Sequence, residues 1–215
     1  MKLQLGAKQQ GEAFLQGLRG PEIPGYKDPF DQKYLGRRAT PTQQEAWPVI
    51  RDTYGAQVAL LGGKGGGKTV TVAAGLIDRV QKYPGSKYFI ASATYQTAID
   101  STATELVEIC DIMGVRVIWR DTMIIDRKKH KHVYYFPEFH SVICIRSADN
   151  MDMIEGSKWD GAAISEVTLW QPMDVRTALS RLRRGKADHC KLIGGLAEDE
   201  TFWTYEWLKE NSFHI

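Results

Sequence analysis

Two apolar rhythms alternate along this chain. Short runs in which most residues are apolar, such as Val58-Ala59-Leu60-Leu61, are followed by longer stretches with apolar residues three or four positions apart. The short runs read as strands and the longer stretches as helices. From residue 56 the pattern predicts a strand over 56–62, a helix over 67–82, a turn at Pro84-Gly85, a strand over 87–93 and a helix over 95–113. Gly114 stops that helix, and a third strand is expected over 115–119. Residues 120–146 break the rhythm. They read as short β segments around a basic loop, a hairpin insertion whose tip is Arg127-Lys128-Lys129-His130-Lys131. The alternation resumes with a strand over 159–164 that ends in Ser165-Glu166, a helix over 173–182, a strand over 191–196 and a helix over 200–210. Alternating strands and helices imply right-handed crossovers on a parallel sheet.

Residues 1–40 form a polar arm with Gly20-Pro21 and Pro24-Gly25 breaks and a short helix over 12–18. A helix over 40–51 follows, with Thr40 or Thr42 as its N-cap and Glu45 in its first turn. The expected division is therefore an N-terminal arm, 1–40, and one α/β domain, 41–215.

Composition narrows the class only a little. An apolar share of 43% supports an ordinary core, and a net charge of +2 confines any nucleic-acid surface to local patches. Two patches stand out: residues 127–131, and Arg181, Arg183, Arg184 and Lys186. Cys110, Cys144 and Cys190 are far apart and odd in number, which suggests buried thiols in a reducing compartment. No apolar run has the length of a signal peptide or a membrane span. The expectation is a soluble chain of intracellular type.

The chemistry lies first in Gly62-x-x-x-x-Gly67-Lys68-Thr69, the P-loop register, with an apolar run before it and a helix after it. Glycines let several backbone N–H groups close around a polyphosphate, and the following helix adds its positive end. Lys68 is expected on the β- and γ-phosphates and the Thr69 hydroxyl on Mg²⁺. Hydrolysis needs a second acid on a neighbouring strand. Ala162-Ala163-Ile164-Ser165-Glu166 supplies one: Glu166 orients the attacking water, while Ser165, standing where an Asp is usual, supports the metal only through a neutral oxygen or a water.

Several segments, taken in order, resemble the ATPase domain of the viral terminase large subunit, the motor that packs DNA into tailed-phage and herpesvirus capsids. They are LLGGKGGGKT at 60–69, YFIASATYQTAID at 88–100, IRSADNMDMIEGSKWDGAAISE at 145–166 and KLIGGLAEDETFWTYEWLKE at 191–210. The resemblance implies a P-loop ATPase fold of the additional-strand, RecA-like kind: a three-layer sandwich around a mainly parallel sheet, with a small β-hairpin insertion. It implies that Gly62, Gly63, Lys64, Gly65, Gly66, Gly67, Lys68 and Thr69 hold ATP and Mg²⁺, that Glu166 is the catalytic carboxylate, and that Gln43 or Gln44 reads the adenine edge. Lys64 would act as a second cation on the γ-phosphate.

Three departures matter. Asp is missing at Ser165, Gly194-Gly195 replaces the hydroxyl residues of the coupling motif, and Glu155 stands where some relatives carry a trans-acting arginine. Arg146, Arg181, Arg183 and Arg184 remain as candidates for that arginine, and without one hydrolysis should be slow. The implied partners are double-stranded DNA, a portal, a small terminase subunit and further copies in a pentameric ring on the capsid, with a monomer in isolation and no membrane. The implied place is the host cytoplasm, transiently at the procapsid portal. The family's nuclease domain has no counterpart in these residues. Two alternatives stay open: a helicase-like nucleic-acid-dependent ATPase, and a nucleotide-binding module that does not hydrolyse.

Overall fold

The computed structural model describes residues 23–52, 57–63, 65–148, 157–182, 190–195 and 213–214. Eight strands form one sheet: β1 (Gln57–Leu61), β2 (Lys87–Ser92), β3 (Ile118–Ile125), β4 (Lys128–Phe136), β5 (Ser141–Ser147), β6 (Gly161–Ile164), β7 (Cys190–Gly195) and β8 (Phe213–His214). Their spatial order is β3-β4-β5-β2-β6-β7-β1-β8. From β5 to β8 all neighbours are parallel, whereas β3, β4 and β5 pair antiparallel. The expected α/β class with a mainly parallel sheet is what the chain adopts.

Helices α1 (Pro41–Asp52), α2 (Lys68–Lys82), α3 (Tyr95–Ala98) and α4 (Thr104–Met113) pack on one face, and α5 (Pro172–Ser180) packs on the other. Helix α2 is central. Val72, Ala73, Ala74, Leu76, Ile77 and Val80 are all buried, because it lies between the sheet and the helices α1 and α4. Its small residues let those neighbours approach closely. Two charged residues are buried with it and are paired. Asp78 accepts from Tyr26 Oη at 2.5 Å and from Lys82 Nζ at 3.1 Å. Arg79 donates to the carbonyls of Ile50 and Arg51 at the end of α1, where cations satisfy unpaired helix carbonyls.

Between α3 and α4 the helix widens into a π turn at Ile99–Ala103, so the single helix expected over 95–113 is interrupted. Ser101 Oγ donates to Thr97 O and Thr104 Oγ1 to Ile99 O. Such hydroxyls compete with the regular ladder. Gly114, at φ 60, ends α4 as expected, and Val115 N reaches back to Cys110 O at 2.9 Å. That closure spends Val115 on the helix end. The third strand accordingly begins at Ile118 instead of residue 115, and it is an antiparallel edge strand, not a core parallel one.

The insertion is also larger and better integrated than expected. Its strands are eight and nine residues long and extend the main sheet. β5, expected within the insertion, is the parallel neighbour of β2. The turn is only Asp126-Arg127, both at positive φ, as a two-residue hairpin turn requires. Most of the basic run therefore lies on β4 and not in a loop. His132 is also left-handed, at φ 55. The kink breaks the strand's alternation, so that His130 and Val133, three apart, are both buried. The distal hairpin folds over the α5 face of the sheet. Asp126 Oδ2 meets Lys87 Nζ at 2.9 Å, and His130 sits edge-on to Trp159 at 5.5 Å. Lys87 and Arg146 flank the same indole, at 4.8 and 5.5 Å from its centroid.

His130 Nδ1 lies 3.1 Å from Arg146 Nη2. Burial pushes its pKa down to about 4, and Arg146, Lys87 and Lys128 push the same way against Asp126. The unfolded chain therefore binds more protons than the folded one between pH 6.5 and 4. Stability present above pH 6.5 is lost as pH falls through about 4. A melting series should show Tm declining over that interval, with a smaller decline in His130→Asn.

Cys110 and Cys144 are free and buried, with burial raising their thiols to about 12 and about 11. They are core residues rather than nucleophiles. Among the described residues no helix is long and apolar enough to cross a membrane. The helices expected over 12–18 and 200–210 lie outside the described residues.

Candidate functional site

The candidate site stands at the carboxyl ends of the parallel strands. β1 leads through Gly62 and Gly63 into a turn in which Gly65 and Gly67 have φ of 77° and 75°. Gly67 caps α2 and, having no side chain, makes no side-chain cap of its own. Lys68 curls back so that Nζ donates to Gly62 O and Gly63 O, both at 2.7 Å. Thr69 follows, half-buried in the first turn of α2. The backbone amides that open α2, an ammonium beside the loop and a hydroxyl one residue later are a donor set that suits a triphosphate with its magnesium. Lys64 lies outside the described residues.

Helix α1 braces this loop. Thr40 Oγ1 accepts from Gln43 N at 3.3 Å, and Gln43 Oε1 accepts from Thr40 N at 2.9 Å. The pair forms a capping box, which makes Thr40 the N-cap. The same Gln43 side chain, almost fully buried, donates from Nε2 to Gly67 O at 3.1 Å. A Cβ on Gly67 would stand 2.4 Å from that Nε2, so only glycine fits there. Gln43 retains one N–H and one lone pair, and it faces a cleft of about 260 Å³ that is also lined by Phe30, Leu35, Gly67, Val70 and Ile109. Gln44 behaves differently: it is exposed and its amide donates to Ala39 O. Of the two glutamines expected at the base, only Gln43 is turned to the loop.

The acidic segment closes the other side. β6 is separated from β1 by β7 alone. Ser165 continues the ladder, with its N bonded to Ala91 O at 2.9 Å, and its buried hydroxyl also points at Ala91 O, at 3.4 Å. Glu166 then turns left-handed at φ 52 and its side chain is exposed. Non-glycine residues in that region cost energy and cluster at functional sites. Its Oε2 lies 3.4 Å from Ser92 Oγ at the end of β2.

The fold as a whole is similar to that of solved structures. The large terminase of a thermophilic bacteriophage matches 88% of this chain and 44% of its own, at TM-score 0.61 and 16% identity. The chain has the fold of a phage large-terminase ATPase domain. A second structure of that terminase, in complex with ADP, matches at TM-score 0.56 and 16% identity over the same shares. A variant of a Thermus phage large-terminase ATPase domain matches at TM-score 0.50 and 16% identity, over 83% of this chain and 74% of that one. This chain thus spans less than half the length of the first of these terminases. No family model matches it, and no curated protein matches it.

Within this terminase-type fold the arginine candidates separate. Arg146 is spent: Nη1 donates to Lys131 O at 3.1 Å and to Ile145 O at 2.6 Å, and the guanidinium lies over Trp159. It holds the hairpin and does not serve as a free finger. Arg181 is half-buried, just before the β-bridge that joins Trp159 to Leu182. Arg183, Arg184, Lys186 and Glu155 lie outside the described residues. Arg127, Lys128, Lys129 and Lys131 are exposed, whereas His130 is not. Thr40 serves as an N-cap as expected; Ser92 and the return bond from Thr40 N to Gln43, which completes the box, are the parts that reasoning from motifs passed over. The Thr-x-x-Gln spacing was a signal for the second; nothing in the sequence marked the first.

Proposed function

We propose that this chain is the ATPase motor of a viral DNA-packaging terminase, coupling ATP hydrolysis to movement of double-stranded DNA into a procapsid. The observation that carries the reading is the pairing of Lys68, at the mouth of a glycine-rich turn, with Glu166 at the same end of the sheet, one strand apart. The ADP and ATP-γ-S complexes of the similar phage terminase support the choice of nucleotide. ATP with Mg²⁺ supplies the phosphoanhydride and the metal charge. The backbone amides from Gly65 to Thr69 hold the phosphates, Lys68 and Lys64 neutralise charge on them, and Thr69 ligates the metal, with Ser165 acting through a water. Gln43 meets the base at the cleft beside Gly67. Glu166 orients the attacking water and takes its proton.

The DNA is gripped without reading sequence, which calls for cations aimed at phosphates. Lys129 and Lys131 share the outward face of β4, opposite Ile124 and Thr122 on β3. Replacing both with glutamate should weaken duplex binding for every sequence alike and reduce the slope of log K against log salt by about 2. A binding series at several salt concentrations checks this. On the capsid, a portal, a small terminase subunit and further copies in a ring complete the machine in the host cytoplasm.

A second reading, nucleotide binding without hydrolysis, is favoured by Ser165, whose hydroxyl is turned to Ala91 O. Phosphate release by the purified chain with ATP and Mg²⁺ separates the two. Slow, metal-dependent release supports the motor, and binding without release leaves the module.

A further inference from the structure

We infer that Ile124 is an apolar contact on double-stranded DNA, packing against deoxyribose carbons between the phosphates that the lysines beside it hold. The inference rests on the proposed DNA grip and deepens it, because it adds to the ionic contacts one that salt does not screen. Ile124 is 74% exposed, more than any other large apolar side chain among the described residues. Register puts it there. In the distal half of β3, Met123 and Ile125 pack into the core on the α5 side of the sheet. The alternation of the strand sends Thr122 and Ile124 to the opposite side, outward. Their partners on β4 are Lys131 and Lys129, both exposed. Directly opposed side chains of an antiparallel pair stand about 5 Å apart at Cβ. Ile124 is therefore beside Lys129 and diagonal to Lys131.

The charge around it selects the occupant. The hairpin over 118–136 carries five Lys and Arg residues against two acids, Asp121 and Asp126. Both acids are engaged: Asp121 accepts from Trp119 Nε1 and Asp126 from Lys87 Nζ, each at 2.9 Å. The outward face of the tip thus presents cations around one apolar side chain. A lipid surface calls for a broad apolar face, and here the outward neighbour of Ile124 on β3 is Thr122. Duplex DNA matches, since its phosphates are separated by sugar carbon. Lys129 and Lys131 are two residues apart, about 7 Å of strand, a span that reaches successive phosphates of one backbone. Sugar and phosphate are the same at every base pair, so the contact carries no sequence information. Ile124 is also branched at Cβ and loses little rotamer freedom when it is covered.

The test uses the whole chain and a fluorescently labelled duplex of mixed sequence, titrated at several salt concentrations. Ile124→Ser should weaken binding about tenfold at every salt concentration, with the slope of log K against log salt unchanged because no phosphate contact is lost. Ile124→Val should restore most of the affinity, and Tm should stay close to that of the parent in both variants. The second readout is the Ile124 δ1 methyl resonance in ¹³C-methyl-labelled protein, assigned by its loss in Ile124→Val. It should shift as duplex is added. Affinity of Ile124→Ser within twofold of the parent, or a methyl resonance that stays in place while duplex binds, overturns the apolar contact and leaves the lysine grip standing. A loss confined to the salt slope overturns it too, since that marks an ionic effect. Binding of anionic phospholipid vesicles that Ile124→Ser abolishes, with duplex binding intact, overturns it in favour of a lipid surface. If the parent chain binds no duplex at any salt concentration, the DNA grip itself falls and the role of Ile124 with it.

Discussion

Phosphate release should fall on the order of 100- to 1000-fold in Lys68→Ala. The ammonium lies 2.7 Å from both Gly62 O and Gly63 O, so it is already held at the mouth of the loop, where negative charge builds as the γ-phosphate leaves. A preorganised cation there acts in the transition state, where alanine offers nothing. Loss of one such donor costs on the order of 100- to 1000-fold in rate. Affinity for ATP should fall as well, because the same cation meets the ground-state phosphates. The fold should survive, since Lys68 is half-buried and α2 keeps Val72, Leu76, Ile77 and Val80 packed. Release assays, a titration with fluorescent ATP and a melting curve together check this. Normal release from a folded Lys68→Ala chain would place the chemistry away from this loop.

Glu166→Gln should separate binding from turnover. Glutamine keeps the length of the side chain and an oxygen that can accept from Ser92, but it cannot take the proton of the attacking water. A lost general base costs on the order of 100- to 10,000-fold, so single-turnover release should fall by that much while ATP still binds as before. Because Glu166 is exposed and lies two residues past β6 instead of filling the core, stability should hardly change. If Glu166→Gln or Glu166→Ala leaves release unaltered, hydrolysis does not run through this carboxylate and the motor reading fails.

The phosphate loop was readable from residues alone because its signal is local. An apolar run, a glycine-rich turn and a helix-forming segment each state their own conformation, and β1 and α2 lie within a residue or so of their expected bounds. The hairpin was harder. Val115 and Val117 look like strand residues, yet Val115 is taken up by the closure after Gly114. β5 carries the same apolar pattern whether it pairs with a hairpin or with β2, and only the sheet as a whole decides. The kink at His132 involves no glycine, so no residue type announced it. Ser92 and Glu166 are 74 positions apart, and their meeting follows from strand order, which no spacing encodes. Gln43 lies between these cases. Its cap is local, but its grip on Gly67 is not.

The hairpin also bears on how copies of this chain behave in solution. A sheet has two margins where unpaired N–H and C=O groups invite another strand. Among the described residues one margin is β8, Phe213–His214. The other is β3, which carries Arg120 and Asp121 exposed at its centre and curls with β4 over the sheet, held by the Asp126–Lys87 pair. Among the described residues neither margin offers a long, flat, uncharged template. The strap that seats the indole of Trp159 thus also guards against edge-to-edge growth into aggregates. Copies of this chain that meet through its described surface are therefore expected to do so through side chains and not by extending the sheet from one copy to the next.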